Sequence, residues 1–208
     1  MKKSVSFALI AATLSLGAAG AARAQQQSDA YAFFPQPGWY APQAAPGYTT
    51  DPQVGRQYPT QTRTMVQDPT GQSAGSITID TKNRYLYLSL GGGQAVRYDV
   101  GVGRDGFRWS GHAHIARKAE WPSWVPPREM LKRRPDLPRF MKGGIDNPLG
   151  ARAMYLYSGG RDTMYRIHGS NEPWTIGQAV SSGCIRMTND DVEDLYSRVR
   201  IGANVTVL

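Results

Sequence analysis

From Ser76 to Leu208 the apolar residues come in short alternating runs cut by glycine, asparagine and aspartate. Alternation puts successive side chains on opposite faces of a strand, and the cuts are turn chemistry. Ile77-Thr78-Ile79 and Tyr85-Leu86-Tyr87-Leu88 flank the turn Asp80-Thr81-Lys82-Asn83 and read as a hairpin. Gly91-Gly92-Gly93 turns the chain again, into a third strand over 95–102. Further strands are expected at His112–Arg117, Ala153–Tyr157, Met164–His168, Cys184–Met187 and Val205–Leu208, with an irregular stretch over 172–180 that holds a helical turn at 176–179. One segment has a clear helical period. Thr188 or Asn189 is its N-cap, acids fill the first turn, and Val192, Leu195, Tyr196 and Val199 share a face. A second, short helix is expected where Pro126-Pro127 precede Arg128–Arg133. The fold class is mainly β with one or two short helices, over residues 73–208, which is long enough for one cored domain.

Gly101-Val102-Gly103-Arg104-Asp105-Gly106 has the spacing of a dinucleotide fingerprint. That motif needs a helix opening at its third glycine, and Phe107-Arg108-Trp109-Ser110-Gly111 does not begin one. A glycine turn between strands is expected instead.

The first 24 residues read as a secretory signal: Lys2 and Lys3, an apolar run from Phe7 to Leu16, then Ala22-Arg23-Ala24 as a cleavage site. The apolar run is short for a bilayer span, so no stable membrane span is expected after cleavage. Cleavage removes three basic residues and lowers the formal charge from +8 to +5. That charge suits an anionic envelope polymer and does not argue for nucleic acid. Residues 25–72 hold seven of the 14 prolines, ten glutamines and five charged residues. Such a composition buries too little apolar surface to offset its ordering entropy, so a disordered linker is expected.

Cys184 is the only cysteine, so no intramolecular disulfide is available and the fold rests on its core. An unpaired exported thiol is either a buried inert cysteine or a reactive one. His168 precedes it, followed by Gly169 and Ser170, and Ser181-Ser182-Gly183 lead directly into it. At pH 7 a free thiol is only about 3% thiolate. An imidazole that takes the proton and returns it to a leaving amine makes it a working nucleophile. Ser182 and Gly183 let backbone approach a substrate carbonyl, and the amides of Ser182, Gly183 and Cys184 are oxyanion-hole candidates. Arg186 shares a strand face with Cys184, where it can pair with a substrate carboxylate.

His168-Gly169, the gap, and Ser181-Ser182-Gly183-Cys184-Ile185-Arg186-Met187 resemble the signature of the L,D-transpeptidase catalytic (YkuD) domain. The commonest family form carries histidine at the position of Ser182. The resemblance extends to Trp121–Pro127 and Asn147–Ala153 and covers about residues 76–208. It implies a curled β-sandwich and an exported, periplasmic cysteine acyltransferase needing no cofactor. It implies attack by Cys184 on a peptidoglycan tetrapeptide stem, release of D-alanine, and transfer of the acyl group from the thioester to an amine. The acceptor is a second stem, giving a 3-3 cross-link, an envelope protein or a D-amino acid. His168 is implied as acid/base and the Gly169 carbonyl as its orienting partner, with Ser181, Ser182, Gly183 and Arg186 as substrate-contact candidates; Trp174 reads equally as a wall on the acceptor side and as a core residue. The alternatives are an L,D-carboxypeptidase or endopeptidase with the same dyad, and a non-catalytic peptidoglycan-binding protein.

Two other groupings stand out in the sequence. His112 and His114 share a strand face, but two imidazoles and a distant thiol are a weak metal signal, and no metal site is expected. The connection 120–150 is rich in proline, tryptophan and basic residues. It reads either as a solvated basic face or as a substrate-covering loop.

Overall fold

The computed structural model describes residues 47–51 and 55–208, all within the compact unit Gln36–Leu208. The expected signal and most of the expected linker lie outside the described residues. No described helix is long and apolar enough to cross a membrane.

A small hairpin comes first, β1 (Tyr48–Thr50) with β2 (Gln57–Pro59). Then follow β3 (Thr64–Gln67), β4 (Ile77–Asp80), β5 (Tyr85–Gly91), β6 (Gln94–Asp99), β7 (Val102–Gly103) and β8 (Gly111–Glu120). Helix α1 (Arg128–Arg133) sits in the basic connection. After it come β9 (Arg152–Ser158), β10 (Arg161–His168), a 3-10 turn (Pro173–Thr175), β11 (Ala179–Ser181) and β12 (Ile185–Arg186). Helix α2 (Asn189–Arg198) and β13 (Asn204–Val207) complete the domain. The expected β4–β5 hairpin is antiparallel, with Ile77 opposite Leu88. The glycine fingerprint lies in β7 and a turn, with no helix behind it.

Nine strands form one sheet in the order β12-β10-β9-β8-β13-β4-β5-β6-β3. Laid flat, its edges would stand roughly 38 Å apart at the usual strand spacing. Yet Val96 and Tyr98 of β6 share one buried core with Ile167 of β10 and Ile185 of β12. Gly101, just after β6, also exchanges two backbone hydrogen bonds with Arg186 of β12, at 2.9 and 2.8 Å. The sheet therefore curls until its two halves face each other, and β7 pairs with β11 across the closing seam.

Helix α2 plugs the curl with Val192 and Leu195, both fully buried. Thr188 caps it, its hydroxyl accepting from the Asp191 amide at 3.2 Å. At the other end Lys118 Nζ donates to the carbonyls of Tyr196 and Val199 at 2.6 and 2.8 Å, the charge a helix C-terminus favours.

Two expectations are corrected. The linker expected over 25–72 does not extend to 72: β3 pairs along its own full length with β6, Thr64 opposite Arg97 through Gln67 opposite Gln94. Thr62 donates through its amide and hydroxyl to buried Asp191 at 2.7 and 2.8 Å. The composition argument weighed apolar burial, whereas this segment is held mainly by ladder bonds and by one buried carboxylate. The helical turn expected at 176–179 falls at Pro173–Thr175 instead, where proline supplies the first helical position.

Candidate active site

Strands β10 and β12 run parallel, with Ile167 opposite Ile185 and His168 opposite Arg186. Paired residues point to the same face of a sheet, and alternate residues along a strand do too. Ile167 and Ile185 face the core. His168 and Arg186 therefore face the other way, joined by Arg166 one step back on β10 and Cys184 one step back on the approach to β12. The register brings the thiol and the imidazole onto one face of neighbouring strands, between two guanidinium groups.

His168 ends β10, and its ring is held there. Nδ1 lies 2.6 Å from the Gly169 carbonyl oxygen. A carbonyl only accepts, so Nδ1 carries the hydrogen and Nε2 keeps the lone pair. The corner behind it is packed tight. Asn189 at the start of α2 accepts from the Ala151 amide at 2.9 Å. The same Oδ1 lies where a Cβ on Gly169 or on Gly150 would stand. Gly169 thus owes its identity to Asn189, while the carbonyl that holds His168 is backbone that any residue would supply.

The loop into Cys184 is stapled by Ser181. Its hydroxyl donates to the Cys184 carbonyl at 2.6 Å and accepts from the Gly183 amide at 3.1 Å. Ser181 is buried and turned inward, so it holds the nucleophile loop rather than facing a substrate. The Gly183 amide, an expected oxyanion donor, is occupied by this bond. Gly183 sits at φ +109°, beside the Tyr165 ring. Ser182 and Cys184 are half-buried. The Cys184 Sγ lies 4.0 Å from the Met164 carbonyl. Met164 is at φ +63°, in a bulge where the β9–β10 register shifts. Bulges of this kind re-aim neighbouring side chains.

Each guanidinium has an acid. Arg166 makes a two-pronged pair with Asp162, at 2.7 and 2.8 Å. Arg186 Nη1 lies 3.3 Å from Glu172 Oε2 and 3.3 Å from Thr175 Oγ1. Arg186 and Glu172 are 5% and 3% exposed, so this pair is inside the protein. Arg186 was expected to meet a substrate carboxylate; its guanidinium lies instead under the 3-10 turn, against Glu172.

Burial pushes the Cys184 thiol up, although the Arg166 amide and the charges of Arg166 and Arg186 pull the other way. Burial, then the charge of Arg186, pushes His168 down to about 3. Burial raises Glu172 to about 7, against the opposing pull of Arg186. The resting pair is consequently neutral thiol with neutral imidazole, not the thiolate–imidazolium pair that an exposed dyad would form.

This sets a pH dependence of stability. His168 titrates near 3 when folded and near 6.5 when unfolded. Between those values the unfolded chain binds the extra proton, so stability falls as pH drops through that window. Glu172 opposes it: raised from 4.5 to about 7, it makes the folded state bind the extra proton, so its contribution falls as pH rises through that window. Comparison with His168→Gln isolates the histidine. Urea unfolding at pH 7 and pH 5 is expected to show wild type losing about 2 kcal/mol more than the variant. Equal losses would contradict a buried neutral His168.

The remaining candidates fall as follows. Trp174 lies in the 3-10 turn, half-buried. His112 is exposed on β8, its Nδ1 3.2 Å from Thr206 Oγ1. In the basic connection, Arg133 of α1 lies over the Phe107 ring at 5.4 Å, and the Phe107 carbonyl abuts Gly183. The connection thus reaches the wall of the nucleophile loop. That wall includes Tyr165 stacked on Trp109, with centroids 4.7 Å apart. Sequence reasoning missed Glu172, Asn189, Gly150 and the Arg166–Asp162 pair. Glu172 had a readable signal, being the only acid between Asp162 and Asp190.

The L,D-transpeptidase catalytic domain model matches residues 74–207. A protein of Escherichia coli K12 named a probable L,D-transpeptidase, ErfK/SrfK, is 38% identical over 53% of this chain and 36% of its own length. A second from the same organism, named a probable L,D-transpeptidase, YcfS, is 31% identical over 80% of this chain and 53% of its own. The chain thus spans about a third to a half of these curated relatives. A solved structure from Brucella melitensis, described as a probable carnitine operon oxidoreductase, is 47% identical. It covers 73% of this chain and 96% of its own, with a TM-score of 0.50.

Proposed function

This chain belongs to the L,D-transpeptidase catalytic domain family, and from that premise we propose that it is an exported, periplasmic acyltransferase working on peptidoglycan stem peptides through Cys184. The observation that carries the reading is the His168 ring, fixed by Gly169 at 2.6 Å on the strand face it shares with Cys184.

Cys184 Sγ adds to the carbonyl that precedes the terminal D-alanine of a tetrapeptide stem. Its proton passes to His168 Nε2 as the C–S bond forms. The charge on the carbonyl oxygen is met by the amides of Ser182 and Cys184, since the Gly183 amide serves Ser181. The imidazolium then protonates the leaving amine, the C–N bond breaks, and D-alanine departs. An acceptor amine attacks the thioester and gives a proton to Nε2. The C–S bond breaks, and the proton returns to sulfur. The neutral resting dyad supports this order, because charge separates only when substrate is there to use it.

Mass spectrometry of the protein incubated with a disaccharide-tetrapeptide tests the proposal. A dimer with the mass of two substrates less one D-alanine is the expected product. Tripeptide without dimer would mean that water is the acceptor and the carboxypeptidase reading holds. Neither product, with no thioester mass on Cys184, would favour the binding protein.

A further inference from the structure

Glu172 is buried, acidic and close to the dyad, yet it takes no part in the steps above. It reaches the site through Arg186. Arg186 is opposite His168 in the β10–β12 register, and its charge acts on both His168 and Cys184. Glu172 is built in. Its amide donates to Ser170 Oγ at 2.9 Å, and its carbonyl accepts from Thr175 Oγ1 at 2.7 Å. Thr175 Oγ1 is also the atom that faces Arg186 Nη1. The carboxylate and its guanidinium are therefore fixed by the same turn that follows His168-Gly169. We infer that Glu172 is a positioning residue that sets the charge balance of the dyad, by partly neutralising Arg186 beneath it. This rests on Cys184 and His168 being the reacting pair.

A positive charge beside the dyad stabilises thiolate and disfavours imidazolium. Too much of it yields a thiolate that forms readily but a histidine that no longer takes and returns the proton. Above pH 7, where Glu172 is ionised, removing its charge raises the net positive charge by one unit at that point. The other charged or titratable groups facing this cluster are Asp51 from beyond β1, which acts on Glu172, and Arg166 with Asp162 on β10. These stay in place in the variants below and are common to all of them.

The test uses iodoacetamide alkylation of Cys184 in the full chain, followed by mass across a pH series. It needs no peptide substrate, so it reads out even if transpeptidation fails. In Glu172→Gln the midpoint is expected to fall by about one pH unit, the scale for one charge at contact distance. In Arg186→Gln it is expected to rise, and in the double variant to return toward wild type. Turnover in Glu172→Gln is expected to drop about tenfold in kcat with KM little changed. Glu172→Asp, which keeps the charge, should recover most of it. Shifts of the same sign in the two single variants, or none, would overturn the inference. If Glu172→Gln does not fold, the double variant is compared with Arg186→Gln instead: a lower midpoint in the double variant is expected, and equal midpoints would overturn the inference. A shifted midpoint with unchanged turnover would spare the charge balance and count instead against Cys184 as the nucleophile.

Discussion

Cys184→Ala is expected to abolish both dimer formation and the thioester mass, a loss of about 10³-fold or more in turnover. His168→Ala should fall less far and differently. General acid–base transfer contributes roughly 10²–10⁴-fold. Without the imidazole the thiol must ionise on its own, and burial holds it above the ordinary thiol range. The variant's acylation rate should therefore climb with pH through that raised value, where the wild-type rate is already level. D-Alanine release and the acyl-enzyme mass, followed from pH 6 to 10, would show this. A flat profile in His168→Ala would mean that His168 is not the proton acceptor. A Cys184→Ala protein that still made dimer would end the cysteine mechanism.

The contrast between the two variants follows from the packing of the dyad rather than from its residue types. Ion-pair thiols are built where solvent or a helix N-terminus supports charge. Here Ile167 and Ile185 seal one side of the strands, and the 3-10 turn covers Arg186 on the other. Neutral resting groups protect a lone thiol from oxidation, since thiolate is the susceptible form. The two Arg–acid pairs then supply a field without supplying much net charge, and the Gly169 carbonyl fixes which nitrogen of His168 reacts.

The parts of this site that sequence could reveal are those carried by local pattern. Alternation located β4, β5, β8, β9 and β10, and put His168 at a strand end, because alternation reports a half-buried sheet directly. The N-cap at Thr188 was legible for the same reason: it is a short-range hydrogen bond. What could not be read was register. Nothing local says that Arg186 lies opposite His168, so its guanidinium was assigned to a substrate instead of to Glu172. Ser181 is ambiguous in a related way. A hydroxyl beside a nucleophile reads equally as a substrate contact and as a loop staple, and only its partners, the Cys184 carbonyl and the Gly183 amide, decide. The bulge at Met164 and the pairing of β3 with β6 are likewise long-range facts. The segment around Thr62 looked like linker because its anchor, Asp191, is far away in sequence.

Gly183→Ala should be the most damaging single methyl in the nucleophile loop. At φ +109° the backbone is in a region that L side chains rarely adopt, a cost of about 1–3 kcal/mol by itself. The new Cβ would also meet Tyr165 ring carbons, with the Phe107 carbonyl 3.1 Å away on another side. Tyr165 has little room to yield, because its ring lies flat on Trp109 at an interplanar angle of 6°. The loop must therefore move, and Cys184 with it. A displacement of about 1 Å at a reacting atom costs on the order of 100-fold. Urea unfolding and kcat/KM together separate the two effects. Adding Tyr165→Leu should relieve the collision and restore part of the activity while the backbone cost to stability stays. Full activity in Gly183→Ala alone would mean that the loop is not held against Tyr165 during the reaction. In that case the stacked Trp109–Tyr165 wall would have no part in placing the thiol.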